Sequence, residues 1–126
     1  MTTTGIIRRI DELGRIVIPN TCSMIGDYAF HGCANLTGIT IGTNVQTIGT
    51  AAFYGCSNVT SLTMNSTVLT TVGAEAFISL SKMAGSIAFP STCTSIGQSA
   101  FNGCAALTRV TFAGSTAIGN LAFYNC

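Results

Sequence analysis

Five copies of an apolar-x-apolar triplet recur along the chain and constrain the fold more than any other feature. Successive triplets lie 23, 23, 25 and 23 residues apart and begin at Ile16, Ile39, Leu62, Ile87 and Val110. Each triplet is followed by a turn residue, then by an Ile-Gly or Val-Gly pair, and then by an Ala-Phe pair. Self-similarity at a fixed period of this size is typical of solenoid proteins.

The triplets predict short strands, because side chains alternate between the two faces of a strand. The two flanking side chains of each triplet are therefore expected to be buried and the middle one exposed. A single unit of this length cannot bury its own apolar side, so neighbouring units must stack. We expect a coil with a parallel sheet on one face and short helical or 3₁₀ turns on the other.

The second repeat carries the full pattern, which comprises residues 39–42, Ile48-Gly49, Ala52-Phe53, Gly55-Cys56 and Asn58-Val59. This pattern resembles the BspA-like, Treponema-type leucine-rich repeat over roughly residues 15–126. The resemblance implies a right-handed leucine-rich-repeat solenoid with repeats at 16–38, 39–61, 62–86, 87–109 and, incomplete, 110–126.

The third repeat departs most from the others. It is two residues longer and has Ser79-Leu80 where most copies have Gly-Cys. We expect a local bulge and a bulkier core contact in this repeat.

The first nineteen residues carry a second pattern, which runs from Gly5 through Arg8 and Gly14-Arg15 to Pro19. This run resembles the opening of the AbrB/SpoVT swapped-hairpin DNA-binding domain, which implies DNA contacts for Arg8 and Arg15. After Pro19 the chain continues as repeat sequence, so less than half of that domain is present.

Residues 1–15 are accordingly expected to form an AbrB-like hairpin cap in front of the repeats. In this prediction residues 3–10 form a strand, the chain turns at residues 11–14, and the strand pairs with residues 15–18. Such a hairpin would cover the open N-terminal end of the solenoid.

Composition excludes several classes of protein. Charged residues make up 7% of the chain and the net charge is +1, which argues against a strongly electrostatic nucleic-acid binder. No stretch approaches the roughly 18 consecutive apolar residues of a membrane span, and no signal peptide is apparent. A complete chain would therefore be cytoplasmic, whereas the family resemblance would otherwise imply a cell-surface or secreted protein.

The six cysteines fall in two repeat columns. Four of them share a column with Leu80 (Cys33, Cys56, Cys104 and Cys126), while Cys22 and Cys93 share one with Val45. Positions that exchange with Leu and Val are expected to be core positions. We expect no disulfide, because the coil spacing on the returning side should exceed the roughly 7 Å limit between bridged Cα atoms. Zinc-type pairs at short spacing are absent from the sequence, so no metal site is predicted.

Catalysis is not expected either. His31 is the only histidine and lies near Cys33, but its repeat equivalents are Tyr54, Ile78, Asn102 and Tyr124, which is the variation of a surface turn. The four acidic residues form no pair at matching repeat positions. We predict no catalytic residue and no cofactor.

What remains is binding, and two surfaces are candidates. One is the strand face, with Thr40, Thr63, Thr111 and Arg109, and the other is the variable turn column, with His31, Tyr54, Asn102 and Tyr124. The leading hypothesis is a non-enzymatic protein–protein interaction or scaffold module whose partner is unknown. The alternative is a dimeric DNA-binding regulator that uses Arg8 and Arg15, and a recent fusion or decayed gene without a selected partner is a third reading.

Self-association is a further expectation. Either the N-terminal hairpin or the apolar C-terminal end of the solenoid could join copies of the chain.

Overall fold

The computed structural model describes residues 11–126, and these residues form five stacked coils with two short strands in each coil. The strands are β1 (Arg15–Val17), β2 (Met24–Ile25), β3 (Gly38–Ile41), β4 (Thr47–Ile48), β5 (Ser61–Met64), β6 (Thr71–Val72), β7 (Gly85–Phe89), β8 (Ser95–Ile96), β9 (Leu107–Phe112) and β10 (Ala117–Ile118). Residues 1–10, which include Arg8 and the predicted strand at 3–10, lie outside the described residues.

The apolar-x-apolar triplets form the parallel strands that the sequence predicts. Strands β1, β3 and β5 make a three-stranded parallel sheet, in which Ile16 pairs with Ile39 and Ile39 with Leu62. Strands β7 and β9 make a two-stranded parallel sheet farther along the coil axis. Side chains such as Ile16 and Ile39 point inward and are buried, while the middle residues Val17 and Thr63 are exposed. The alternation expected for a sheet with one solvent face is confirmed in the first four coils, whereas in the last coil Val110 is partly buried and Phe112 is 36% exposed.

A second parallel sheet, which the sequence did not reveal, lies along the Ile-Gly column. It has five strands in the order β10-β8-β6-β4-β2, and each strand is two residues long. The column isoleucines pair in register, as Ile25 does with Ile48. Each coil is therefore hydrogen-bonded to its neighbours along this column, in addition to the ladders of the strand face.

The returning segments contain no helix within residues 11–126, so the predicted helical or 3₁₀ turns are replaced by another arrangement. Successive backbone N–H groups alternate in direction. Those of Phe30 and Gly32 donate to Ala52 and Tyr54 in the next coil (2.7 and 2.8 Å), whereas that of His31 closes a turn within its own coil. Because every second N–H leaves the coil, a continuous helix cannot form. The backbone of the return side therefore forms a third set of hydrogen bonds between neighbouring coils, in addition to the two strand columns.

The alternation depends on left-handed residues at two positions in each coil. Tyr28 and Gly32 have φ angles of 58° and 74° in the first coil, and Glu75 and Ser79 have 58° and 63° in the third. Glycine occupies the second position in three of the five coils, because it adopts positive φ without steric cost.

The two extra residues of the third repeat lie in different places. One lies in the turn after β5, where the buried hydroxyl of Ser66 donates to the Val45 carbonyl oxygen at 2.6 Å. The other lies at Gly85 (φ 94°), where the β7–β9 pairing shifts register and where the ladder between β5 and β7 is interrupted. The expected bulge is therefore present and divides the strand face into two sheets.

A ladder of phenylalanines runs through the core. The ladder consists of one ring per coil, from Phe30, Phe53, Phe77, Phe101 and Phe123. Neighbouring rings are stacked at centroid distances of 5.0 to 5.3 Å, with interplanar angles of 12° or less. All of these side chains except the last, which is partly buried, are fully buried. Stacked aromatic pairs contribute about 0.5 to 1.5 kcal/mol each beyond their area burial.

The cysteine prediction is confirmed for the inner coils and wrong for the end. Cys22, Cys56, Cys93 and Cys104 are buried free thiols, Cys33 is half-buried, and Cys126 in the last coil is exposed. The ground given for excluding disulfides is also wrong. The returning segments are hydrogen-bonded across coils, so their spacing is close to the roughly 5 Å of neighbouring strands.

Candidate interaction surface

The variable turn column lies on the return side and is held in place by the backbone ladder. The carbonyl oxygens of Tyr54, Asn102 and Tyr124 accept hydrogen bonds of 2.6 to 2.8 Å from N–H groups in the preceding coils. The side chains of His31, Tyr54 and Tyr124 are exposed, and that of Asn102 is half-exposed. The column thus presents one side chain per coil from a rigid backbone.

Three aromatic side chains meet in the first two coils. The rings of His31 and Tyr54 are stacked at a centroid distance of 5.0 Å and an angle of 12°, and Tyr28 lies 5.7 Å from His31 at 57°. We call Tyr28, His31 and Tyr54 the aromatic cluster. Tyr28 is 60% exposed and Tyr54 is 40% exposed, so the cluster offers ring faces and polar ring atoms to a partner.

Sequence reasoning missed Tyr28. Its repeat equivalents are Ala51, Glu75, Ser99 and Leu121. These residues all have a positive φ angle, but their side chains are of unrelated types. The available signal was its position three residues before His31, since turn residues at that spacing lie next to each other. The structure places this residue beside the predicted column, next to His31.

The predicted strand-face residues lie on two separate sheets. Thr40 is half-buried and pairs with the exposed Thr63 in the first sheet, whereas Thr111 and Arg109 are exposed on β9. The interruption between β5 and β7 separates these two groups. The strand face is therefore not one continuous array of threonines.

Arg15 is exposed on the surface and forms an ion pair with Asp11. Its Nε donates to the Oδ2 of Asp11 at 2.8 Å, and its backbone N–H donates to Oδ1 at 2.9 Å. These contacts, led by the backbone hydrogen bond from Arg15, lower the pKa of the Asp11 carboxyl group below its ordinary value. The two backbone bonds between Asp11, Gly14 and Arg15 also form the predicted turn at residues 11–14.

A shallow groove of about 580 Å³ lies at this end of the strand face. Its lining includes Arg15, Val17, Gly38, Thr40 and Ser61. A Cβ atom added at Gly38 would lie 3.2 Å from the Ser61 hydroxyl and 3.3 Å from Arg15 Cγ. The missing side chain of Gly38 therefore opens the groove between these two polar residues.

The geometry around His31 and Cys33 does not resemble an activated nucleophile. Burial raises the pKa of the Cys33 thiol, whereas nucleophilic cysteines have a lowered pKa. The rings closest to His31 are those of the two tyrosines. Among residues 11–126, no group of three or more His, Cys, Asp and Glu side chains could hold a metal ion. This part of the chain also has no helix that could cross a membrane.

Two solved structures are similar to this chain along most of its length. A leucine-rich repeat protein from Bacteroides ovatus is 28% identical, with a TM-score of 0.66 over 91% of this chain and 35% of the other. A leucine-rich cell surface protein from Faecalibacterium prausnitzii is 26% identical, with a TM-score of 0.63 over 88% of this chain and 39% of the other. The chain thus spans little more than a third of the length of either protein.

A third structure, a leucine-rich repeat protein of T. pallidum, is 16% identical with a TM-score of 0.49 over 90% of this chain and 76% of the other. The comparison with curated proteins gives no significant match. The resemblance of residues 1–19 to the AbrB/SpoVT domain remains a prediction.

Residues 8–126 match the family described as the BspA type leucine-rich repeat region, in six copies. This match includes all five triplets, both strand columns and the phenylalanine ladder. The chain belongs to the BspA-type leucine-rich-repeat family.

Proposed function

We propose that this chain is a non-enzymatic protein-interaction module and that the aromatic cluster on its turn column is the main contact for the partner. The observation that carries this proposal is the exposed group of Tyr28, His31 and Tyr54 on a backbone fixed by hydrogen bonds between coils. Tyrosine is enriched among the residues that dominate protein interfaces.

The energetics of the site favour recognition by these side chains. Tyrosine supplies a large contact area at low cost in conformational entropy, because few of its torsions must be fixed. The neighbouring coils already position the backbone beneath the cluster, so little ordering remains to be done on binding. The rest of the column, with Asn102 and Tyr124, would extend the contact along the coil axis.

The strand face is the second candidate surface for a protein partner. Its groove combines an apolar floor with the Arg15 guanidinium group and the Ser61 hydroxyl, a composition suited to an extended peptide. Thr63, Thr111 and Arg109 would contribute peripheral polar contacts there. The interrupted sheet makes this surface less continuous than the turn column.

Affinity capture from the source cells with matched variants tests the proposal. The double variant Tyr28→Ala/Tyr54→Ala removes the cluster, and the double variant Thr63→Ala/Arg109→Ala alters the strand face and serves as the control. We expect a specific protein to be retained by the wild type and by the strand-face variant and lost by the cluster variant. If the captured protein is lost only with the strand-face variant, the partner binds the strand face and the proposed site is wrong.

A quantitative step follows the capture. The recovered protein is purified, and its dissociation constant is measured for the wild type and both double variants. We expect at least a tenfold weakening for the cluster variant, since losing two anchoring aromatic residues commonly costs more than 1.4 kcal/mol. Equal affinity of all three proteins would refute the proposed contact surface.

DNA binding is the competing function, and a titration at low and high salt tests it. Affinity at low salt that disappears on Arg8→Ala and Arg15→Ala would favour the regulator. The exposed ion pair with Asp11 offsets part of the Arg15 charge, and the net charge of the chain is +1, so we expect no measurable binding.

The cytoplasmic location also remains a prediction. Fractionation of the source cells would distinguish it from the cell-surface location given for the Faecalibacterium prausnitzii protein.

A further inference from the structure

Cys33 and Cys56 occupy the same column on the first two coils, on the hydrogen-bonded return side. Just before the pair, the Gly32 N–H donates to the Tyr54 carbonyl oxygen at 2.8 Å, and just after it the Asn58 side-chain amide donates to the Ala34 carbonyl oxygen at 2.7 Å. A Cβ atom added at Gly55 would lie 3.5 Å from Gly32 Cα. The backbones at the two cysteines are therefore within the range of Cα separations that disulfides span, about 4.4 to 6.8 Å.

The two thiols differ in how firmly they are held. Cys56 is fully buried, and its Sγ leans toward the first coil, where it donates to the Phe30 carbonyl oxygen at 3.0 Å and lies next to the Cys33 amide. Cys33 is half-buried, and its Sγ donates no hydrogen bond to any of residues 11–126. Rotation of Cys33 about χ1 toward the second coil would move its sulfur toward that of Cys56 and itself breaks no described hydrogen bond. Formation of the bridge then removes the Cys56 S–H, and with it the bond to the Phe30 carbonyl oxygen.

We propose that Cys33 and Cys56 form a disulfide between the first two coils when the folded protein meets a small-molecule disulfide such as oxidised glutathione. The accessible Cys33 thiolate attacks one sulfur of the oxidant, forming a mixed disulfide and releasing one thiolate. The Cys56 thiolate then attacks Cys33 Sγ, forming the protein disulfide and releasing the second thiolate. The two protons lost by the protein thiols end on the two small-molecule thiols, so the oxidant is reduced as the cysteines are oxidised.

The pH dependence follows from the same geometry. Burial raises the pKa of the Cys33 thiol and raises that of Cys56 to about 12. Only the thiolate reacts, so the cross-link forms slowly at neutral pH and its rate increases as pH rises toward those values.

Cys104 and Cys126 provide an internal comparison on the fourth and fifth coils. Cys126 is exposed and leans toward the fourth coil, but Cys104 is fully buried and its Sγ donates to the Phe77 carbonyl oxygen at 3.2 Å. Forming a bridge here requires Cys104 to break that bond and turn inside the core. We expect this pair to cross-link more slowly than Cys33 and Cys56.

Oxidised glutathione and mass spectrometry test the proposal on the full chain. The folded protein is incubated with the oxidant, free thiols are blocked with iodoacetamide, and the chain is cut with trypsin and chymotrypsin. Cleavage after Tyr54 separates the two cysteines, so a linked pair of peptides identifies the disulfide. The expected result is the Cys33–Cys56 pair as the first cross-link, a monomeric band on a non-reducing gel, and a higher urea midpoint than that of the reduced protein.

Variants give the controls. Cys33→Ser should abolish the cross-link, whereas Cys22→Ser should leave it unchanged, because the neighbouring coil has Val45 in the Cys22 column. A mixed disulfide that persists at Cys33 with Cys56 unmodified would overturn the proposal. A Cys33–Cys33 bond between two chains, or no loss of thiols in the folded wild type, would overturn it equally, and neither outcome depends on how a variant folds.

Discussion

Replacing Gly73 by Ala measures how closely the backbones of neighbouring coils approach at the Ile-Gly column. An added Cβ at this position would lie 2.6 Å from Gly49 C and from Thr50 N, both of them backbone atoms. Gly26 occupies the same column in the first coil, and a Cβ added there meets nothing within 4 Å. Neither glycine has a positive φ, so the pair isolates the effect of close packing.

The expected cost follows from the distances. Carbon atoms in contact favour separations of roughly 3.5 to 4.0 Å, and ordinary contacts begin near 3.4 Å. Because the added Cβ would lie only 2.6 Å from Gly49 C, the backbone of the second coil must move away by about 0.8 Å. Overpacking of this kind costs about 1 to 3 kcal/mol. The same movement weakens the bonds from Gly73 N–H to the Ile48 carbonyl oxygen (2.7 Å) and from Ala51 N–H to the Ala74 carbonyl oxygen (2.9 Å). These bonds contribute at most about 1 kcal/mol each, so we expect a total loss of about 1 to 5 kcal/mol, with a central value near 3 kcal/mol.

Urea denaturation followed by circular dichroism compares the wild type, Gly73→Ala and Gly26→Ala. Gly26→Ala should be neutral or stabilise the fold by up to about 1 kcal/mol, because alanine lowers the entropy of the unfolded chain. In thermal melts the two variants should differ by on the order of 10 °C. Equal stabilities would refute the view that glycine is required here by the approach of the next coil.

Three further predictions concern the return side and the last coil. Ser79→Gly should stabilise the fold by about 1 kcal/mol in urea denaturation, because Ser79 has a φ of 63° where three other coils have glycine; lower stability would contradict this. Iodoacetamide should label Cys33 and Cys126 in the folded protein and the other four thiols only on unfolding. The labelling rates of Cys33 and Cys126 should keep rising above pH 9, because burial raises the pKa of both thiols. Rapid labelling of Cys56 would contradict this. Light scattering should detect self-association of the chain, because the Phe112 ring is 36% exposed on the last coil. Phe112→Ser should reduce this self-association. A wild-type protein that is strictly monomeric at micromolar concentration would contradict the prediction.

The sequence predicted the features that depend on local alternation. Ile16, Ile39 and Leu62 mark strands because an apolar-x-apolar triplet has the period of a strand, and the constant spacing aligns them in register. The second sheet could not be found in this way. A strand of two residues, such as β4 at Thr47–Ile48, is too short to show a period, and the glycine that follows it is equally typical of a turn.

The return side was misjudged for a different reason. The Ala-Phe pair is compatible with a helical turn, and nothing in a residue such as Tyr28 or Glu75 indicates a left-handed conformation. Their φ angles are imposed by hydrogen bonds to the next coil, which are tertiary interactions. The same coil spacing stacks His31 on Tyr54, so the column could be predicted from the repeat register but the aromatic cluster could not.

The repeat separates the residues that stabilise the fold from those available for binding. In the buried columns, substitution is limited to apolar residues, as when Leu80 or Val45 takes the place of a cysteine. The turn column, in contrast, carries His31, Tyr54, Ile78, Asn102 and Tyr124 on almost the same backbone, because the hydrogen bonds that hold it involve only main-chain atoms. A change of side chain there alters the surface without altering the ladder. Under the proposed function, a change in this column would alter the contact with the partner at little cost in stability, whereas truncating a ladder phenylalanine to alanine would cost about 3 to 5 kcal/mol.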